Sequence, residues 1–287
     1  MAKEIALLVG PPGCGKSTTA KKVAGRTYIN QDSQGQKGHL DLFTEAIKRG
    51  DSIVVDRMNF SIEQRKRYLE PAIKAGYTAS ITVFETPRQI CLDRCIARQG
   101  HETIKDATTA NKSLNFFFSH YEKPLSTEAN VVKFIQEPLE KTQAIVVDLD
   151  GTIADASHRM HYVKCEGKKN WGGFFKGIEN DEVNEPVAEI VRHFAGDYEI
   201  VYCSGRPEDQ CREATEKWLK KNGLWYQHLY MRSTSDYRSD DIAKEILLDY
   251  ELLPRFIPLF FLDDRDRVVS LWRRRGFTCL QVAPGAF

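Results

Sequence analysis

The segment Gly10-Pro11-Pro12-Gly13-Cys14-Gly15-Lys16-Ser17 constrains this chain more than any other. It satisfies GxxxxGK[ST], follows the apolar run IALLV and precedes the helix-like TTAKKVAG. A strand that feeds a glycine turn that opens a helix is the context in which this motif grips phosphate. Its glycines turn backbone N–H groups toward phosphate oxygens, and the helix N-terminus adds its dipole. Lys16 reaches the outer phosphates, and the Ser17 hydroxyl is placed to hold magnesium. Gly10, Gly13, Gly15, Lys16, Ser17 and Thr18 are therefore the expected nucleotide-binding residues, and ATP or another nucleoside triphosphate is the expected ligand.

A second segment, TQAIVVDLDGT, has the same grammar: an apolar run that stops at a turn rich in Asp and Gly. A buried parallel strand reads as a continuous apolar run, and ligands sit at its C-terminal edge. Two α/β domains are implied, and 287 residues suffice for two cores. The polar stretch Gln136 to Gln143, which contains Pro138, reads as the linker. The expected domains are residues 1–139 and 140–287. Strands are expected at Ile5–Val9, Ser52–Asp56 and Thr78–Phe84 in the first. In the second they are expected at Ala144–Leu149, Glu199–Cys203, Leu229–Met231, Leu259–Leu262 and Thr278–Val282. Helices are expected after Lys16, at His39–Arg49 and Ile62–Ala75, from Pro87 onward, and at Asp209–Lys221.

With 41% hydrophobic and 28% charged residues the chain reads as globular. The apolar stretch Phe256 to Leu262 is broken by Pro258 and is far shorter than the roughly 20 residues of a membrane span. The N-terminal apolar run meets Gly10-Pro11-Pro12 too soon for a signal-peptide core. No membrane association and a cytoplasmic location are the expectation. Seven cysteines without a CxxC pair fit a reducing compartment. Cys91 and Cys95, four apart, read as packing, and zinc is not expected. The net charge of +1 divides unevenly: residues 1–138 hold 20 Lys/Arg against 15 Asp/Glu, and residues 139–287 hold 21 against 25. A mildly basic first half suits a phosphate-rich ligand, as it suits any solvated surface.

Asp32, in YINQDS, follows a strand-like stretch and can take a proton from an attacking hydroxyl; a helix-capping role is the alternative. Arg94 and Arg98 are four apart, so on a helix they share a face and can hold transferred phosphate charge, or form a solvated face. In the second half, Asp148 is placed as nucleophile and Asp150, two residues on, as general acid. Asp263 and Asp264 add carboxylates that, with Asp148 and Asp150, suit magnesium. Ser204 can hydrogen-bond the phosphoryl group, with Arg206 close behind, and Lys244 can screen the nucleophile's charge.

The order DxDGT, SGR, Lys, DD resembles the haloacid-dehalogenase phosphatases, and its fusion to a P-loop resembles the polynucleotide kinase-phosphatases of T-even phages. The resemblance takes in GPPGCGKST, INQDS, VVDRMN, VFETP and RCIARQG, then VVDLDGTIA, SGR, DYRSDDIAKEI, DDRDRVVSLWRRRG and QVAPGAF. It implies a P-loop NTPase-type parallel-sheet domain, then a Rossmann-like phosphatase domain with a small cap, formed by His158–Asn180. By resemblance, Asp32 is the kinase's general base, Lys16 and Ser17 its nucleotide grip, and Arg98, with Arg94 beside it, its lid cation. Asp148 and Asp150 are the phosphatase's nucleophile and acid, joined by Arg159, Arg206, Arg232, Asp240, Lys244 and Asp264. Asp56, Asn59, Arg159, Ser204, Arg232 and Asp240 are carried over as substrate-binding residues.

The implied reactions are transfer of the ATP γ-phosphate to 5′-hydroxyl ends and hydrolysis of 3′-phosphate ends. DNA or RNA ends are the implied substrates, a nucleic-acid ligase the functional partner, and a homo-oligomer the family's assembly. Gly35 stands where the phage enzyme has an arginine for the acceptor phosphate, and the Asp32–Asp56 interval is shorter. Two other readings are compatible with the motifs alone: a small-metabolite kinase fused to a phosphatase, and a nucleotide-sensing scaffold.

Overall fold

The computed structural model describes residues 3–98, 104, 106–164, 167–224 and 227–285. Gln99 and Gly100 of RCIARQG, Cys165 and Glu166 of the expected cap, and Ala286 and Phe287 of QVAPGAF lie outside them. The chain divides into two compact units, Met1–Pro138 and Leu139–Phe287. No helix among the described residues is long and apolar enough to cross a membrane.

In the first unit, β1 (Glu4–Val9) leads through the glycine loop into α1 (Lys16–Lys22). There follow β2 (Thr27–Asn30), α2 (Gln31–Arg49), β3 (Ile53–Asp56), α3 (Ile62–Lys74) and β4 (Thr78–Glu85). The unit closes with α4 (Arg88–Ala97), α5 (Ala107–His120) and β5 (Val131–Gln136). Its sheet has the order β2-β3-β1-β4-β5, every pairing parallel. The β1 and β3 residues from Ile53 to Val55 and at Leu7 and Val9 are at most 2% exposed, as strands covered on both faces require. Because β1 lies between β3 and β4, its glycine loop opens in the middle of the sheet's C-terminal edge.

Two sequence expectations change here. The helix around His39 begins eight residues earlier, at Gln31, and is broken at Gly35 (φ 72°, ψ 172°). The stretch Val131–Gln136, unassigned from sequence, is an edge strand with a mostly exposed burial pattern. Gln136 therefore ends a strand and Thr142 begins the next, so the linker is shorter than Gln136–Gln143.

The second unit begins with β6 (Thr142–Val147) and a small antiparallel pair, β7 (Ala154–Asp155) and β8 (Glu182–Val183). Between these two strands lie a 3-10 turn (Ser157–Tyr162) and α6 (Trp171–Lys176), the counterpart of the expected cap. Then come α7 (Glu185–Phe194), β9 (Glu199–Pro207), α8 (Glu208–Lys221), β10 (His228–Arg232) and α9 (Asp240–Leu247). The described part ends with β11 (Phe256–Asp263), α10 (Asp266–Arg274) and β12 (Cys279–Gln281). The sheet order is β10-β9-β6-β11-β12, again parallel throughout. The fold is thus α/β with two parallel sheets, as the two strand-turn segments implied.

Apolar clusters fill both faces of this second sheet, one around Trp218 and one around Trp272. Each tryptophan also braces an acid: Trp218 Nε1 donates to the Asp181 carbonyl at 2.8 Å and Trp272 Nε1 to Asp263 Oδ2 at 3.2 Å. A buried indole pairs its large apolar area with an N–H that must find an acceptor. Core packing and acid placement are therefore coupled.

Candidate active sites

In the first unit Gly10, Gly13 and Gly15 all have positive φ (156°, 83° and 100°), and the chain enters α1 at Gly15. Lys16 is 8% exposed; its Nζ donates to the Gly10 and Pro11 carbonyls at 2.8 and 2.7 Å. Ser17 is half-buried and Thr18 exposed at the start of α1. Beside them, Asp56 ends β3 and is 3% exposed; Tyr28 Oη donates to its Oδ2 at 2.6 Å, and the Asn30 amide to the same oxygen at 3.3 Å. Burial and the Asp56 carboxylate together raise the Tyr28 phenol well above its ordinary range.

Asp32 lies in the first turn of α2, exposed, at the same sheet edge. It is not the helix cap: the Asn30 side chain accepts from the Ser33 N–H at 3.1 Å. The capping alternative for Asp32 is thereby removed. α4 ends at Ala97 with Arg98 as its C-cap, and the chain turns extended there (φ −80°, ψ 117°). Arg94 forms a two-bond ion pair with Glu137, at 2.7 and 3.0 Å.

Asn59, carried over as a substrate ligand, is wholly buried, and its Nδ2 donates to the Leu8 carbonyl at 2.8 Å. It has a positive φ of 48° and fixes the loop after β3 against β1. Direct contact with substrate does not fit that position.

In the second unit the DxDGT segment lies just past β6, which ends at Val147 rather than Leu149. Asp148 is 7% exposed, and its N–H donates to the Leu262 carbonyl of β11 at 2.9 Å. Lys244, 1% exposed on α9, donates from Nζ to Asp148 Oδ1 at 2.7 Å and Asp263 Oδ2 at 3.0 Å. Asp148, Asp263 and Asp264 bring one oxygen each within 4.8 Å of one another. Burial, then repulsion from Asp263 and Asp264, lifts the Asp148 carboxyl well above the usual range, against the pull of Lys244. Asp264 is pushed up to about 6 by burial and the Asp263 charge. Burial disfavours the charged form of Lys244, yet the carboxylates of Asp148, Asp263 and Asp240 hold it firmly protonated. One ammonium cannot offset so many buried carboxylates, and hard oxygen donors in excess negative charge suit a divalent cation such as magnesium.

The three acids are not equivalent. Asp263 accepts from Lys244 and Trp272 on Oδ2 and from the Arg265 N–H on Oδ1 (3.2 Å). Asp264 accepts from Thr152 Oγ1 at 3.2 Å on Oδ1, and its Oδ2 faces Gly151.

Asp150, expected beside them on the metal, is drawn elsewhere. Its Oδ2 accepts from Arg206 Nε at 2.9 Å, and its Oδ1 from the Nη2 atoms of both Arg206 and Arg159. Although burial pushes its carboxyl up, the Arg206 and Arg159 guanidiniums hold it far below the usual range. Asp150 thus has both side-chain oxygens on guanidiniums, apart from the oxygens that Asp148, Asp263 and Asp264 bring together.

Behind this pair lies Asp181, which the sequence did not reveal. It is 5% exposed and accepts from Arg159 Nε at 2.6 Å, from Arg206 Nη2 at 3.1 Å and, at a ring nitrogen separation of 2.9 Å, meets His158. Asp181 follows the expected cap directly, in an acidic stretch with no motif around it. Ser204 and Arg206 are each 1% exposed; the Ser204 hydroxyl accepts from the Arg206 N–H at 3.2 Å. Gly205 between them has no room for a side chain, since a Cβ would lie 1.9 Å from Asp240 Oδ1. Arg232 donates to Asp240 at 2.8 Å. Although burial opposes it, Lys244, Arg265 and Arg232 keep the Asp240 carboxyl low.

These residues line a cavity of about 1190 Å3 that includes Asp148, Asp150, Arg206, Arg232 and Asp264. The cap aromatics divide in role. Phe174 is buried with Ala156 and Val163, under the Arg159 guanidinium at 4.1 Å, whereas Trp171 is 45% exposed.

Residues 142–287, just over half the chain, match the family model described as the phosphatase domain of the polynucleotide kinase PNKP. The chain belongs to that family. Residues 5–124 match an AAA domain model. A protein of Autographa californica nuclear polyhedrosis virus, named as a bifunctional polynucleotide kinase/RNA ligase, is 23% identical over 95% of this chain and 41% of its own length. The bifunctional polynucleotide phosphatase/kinase of Schizosaccharomyces pombe is 28% identical over 44% of this chain and 31% of its own. The chain spans less than half the length of these curated relatives. The solved structure of a Pnkp1/Rnl/Hen1 complex contains a chain 25% identical, covering 100% of this one and 98% of that one, with a TM-score of 0.44. Membership of the polynucleotide kinase phosphatase-domain family gives the Asp148 to Asp264 constellation its context. The resemblance read from DxDGT, SGR and DDRDR thus holds over the second half.

Proposed function

We propose that this chain is a bifunctional enzyme that heals nucleic-acid ends. A kinase domain, residues 1–139, transfers the ATP γ-phosphate to a 5′-hydroxyl, and a phosphatase domain, residues 140–287, removes a 3′-phosphate. The observation that carries this reading is Asp148 at the end of β6, with Lys244 Nζ at 2.7 Å, inside the stretch that matches the phosphatase domain of the polynucleotide kinase PNKP. The baculovirus relative's name pairs a polynucleotide kinase with an RNA ligase, which supports ligation as the step downstream.

In the phosphatase, an Asp148 oxygen attacks phosphorus, the bond from phosphorus to the 3′ oxygen breaks, and that oxygen takes a proton from Asp150. Water then attacks the aspartyl-phosphate, gives a proton to Asp150 and restores the Asp148 carboxylate. A magnesium ion held by Asp148 and Asp264 would offset charge on the phosphoryl oxygens. Asp263 positions Lys244. An incoming phosphate competes with Asp150 for the guanidiniums of Arg206 and Arg159, and the released Asp150 regains the proton affinity a general acid needs. In the kinase, the glycine loop, Lys16 and Ser17 grip the triphosphate with magnesium, Asp32 takes the hydroxyl proton, and Arg98 steadies the transferred charge.

Because the two sites lie in different units, they are separable. Lys16→Ala abolishes phosphorylation of 5′-hydroxyl oligonucleotides and spares 3′-phosphate removal; Asp148→Asn does the reverse. End-labelled DNA and RNA incubated with ATP and magnesium report both. Loss of both reactions from either folded variant would refute the two-site reading.

A further inference from the structure

The cavity next to Asp148, at about 1190 Å3, exceeds the roughly 300–1,000 Å3 of an ordinary small-molecule pocket. A phosphoryl group fills a small part of it. Two aromatic rings on its wall face solvent: Tyr237 is 90% exposed and Trp171 is 45% exposed.

Neither ring is on a loose tip. The loop that carries Tyr237 is clamped on both sides of it. Arg238 donates to Asp236 from its backbone N–H at 3.0 Å, Nε at 2.8 Å and Nη2 at 2.7 Å, and the Arg238 carbonyl accepts from Arg232 at 2.9 Å. Arg232 in turn holds Asp240 in the phosphatase site. Trp171 opens α6 and has one side against Phe175, ring centroids 5.8 Å apart and 23° from parallel. Tyr237 is thus held by backbone tied to the catalytic constellation and Trp171 by ring packing, with apolar area left in water that packing alone would cover.

The same cavity wall carries cations, Lys169 and Arg267 among them. Lys169 Nζ is 5.7 Å from the Trp171 ring centre, and the Arg267 side chain is 66% exposed, with Asp241 4.0 Å away. The wall also carries acids: Asp155, Glu182 and Glu185 come from β7, β8 and α7, while Asp236 and Asp240 are paired with Arg238 and Arg232. Rings beside lysine and arginine next to a phosphate site form the makeup of a platform for single-stranded nucleic acid.

We infer that Trp171 and Tyr237 stack on the unpaired bases at a 3′-phosphate end, while Lys169 and Arg267 face its phosphodiester backbone. This rests on the phosphatase reading above. It makes the last nucleotides, and not the phosphate alone, part of what the site recognises, with little sequence preference because every base has a π-face.

The test compares 3′-phosphorylated DNA and RNA decamers with matched decamers whose two 3′-terminal nucleotides lack bases. Phosphate release is measured for the full chain and for Trp171→Ala, Trp171→Phe, Tyr237→Ala and Tyr237→Phe. The wild type is expected to have the lower KM on base-bearing ends. Each alanine variant is expected to lose about tenfold of that preference, one stacked base's worth, and each phenylalanine variant to keep most of it. A wild type that hydrolyses both decamers with equal KM, or alanine variants that keep the full preference, would overturn the platform and leave the phosphatase reading standing. A wild type that releases phosphate from glycerol 2-phosphate but from no decamer would overturn both.

Discussion

Arg206 meets Asp150 fork to fork, Nε to Oδ2 at 2.9 Å and Nη2 to Oδ1 at 2.5 Å, with the arginine side chain fully buried. Behind it Asp181, also buried, accepts from the same Nη2. Removing Arg206 would leave Arg159 as the one guanidinium between two buried carboxylates, and breaking such a buried pair costs about 3–5 kcal/mol. Arg206→Ala is expected to lower the stability of the second unit by that amount in urea unfolding. Arg206→Lys recovers only part, since an ammonium lacks the planar fork. A loss under about 1 kcal/mol for the alanine variant would contradict the clamp.

Lys244→Met keeps the volume and removes the charge that Asp148, Asp263 and Asp240 share. Phosphatase kcat is expected to fall by about a hundredfold or more. The sign of the pH effect follows from the geometry. Asp148 already has a raised carboxyl pKa, Lys244 opposes that rise, and the nucleophile must be ionised to attack. Without Lys244 the acid limb of the pH–rate profile moves to higher pH. An unmoved limb would mean that Lys244 does not set the charge of Asp148.

Gly35 breaks α2. Its φ of 72° and ψ of 172° fall in a region that essentially only glycine occupies, so an arginine cannot stand there without rebuilding the kink in α2. Gly35→Ala is expected to destabilise the first unit by about 1–3 kcal/mol. Gly38→Ala serves as the control: it lies in the helical part, its nearest neighbour to a new Cβ is 3.9 Å away, and it should stabilise by about 0.5–1 kcal/mol. Equal effects of the two in thermal unfolding would count against the kink.

The same kink is bound to His39. Its Nδ1 donates to the Gly35 carbonyl at 2.7 Å, which leaves Nε2, buried and without a partner among the described residues, as a bare lone pair. Burial first, then the charges of Arg57 and Arg67, depresses the His39 pKa, while the Gly35 bond opposes. A depressed folded-state pKa means that the unfolded chain takes the proton first. The contribution is intact above the unfolded value of about 6.5 and is lost as pH falls below it, through the lower folded value. His39→Gln is expected to flatten the decline in melting temperature between pH 7.5 and 5.5. An unchanged slope would place the acid sensitivity elsewhere.

The sequence by itself determined the two loops that face phosphate, and with them the α/β class of both halves. GPPGCGKS and DLDGT are local: a few residues of backbone geometry decide where their N–H groups and carboxylates point, and neighbours in sequence suffice to set it. Which charge answers which was decided by tertiary structure alone. Asp148 finds Lys244 across 96 residues, Asp263 rather than Asp264 takes up that lysine, and Asp181, outside every motif, holds both arginines on Asp150. Arg94 was read as a phosphate ligand and pairs with Glu137. A buried charge takes the partner that packing places within hydrogen-bonding reach, and that distance depends on how strands β6, β9 and β11 are ordered in the sheet and on the helices that cover them. No spacing in the chain encodes it.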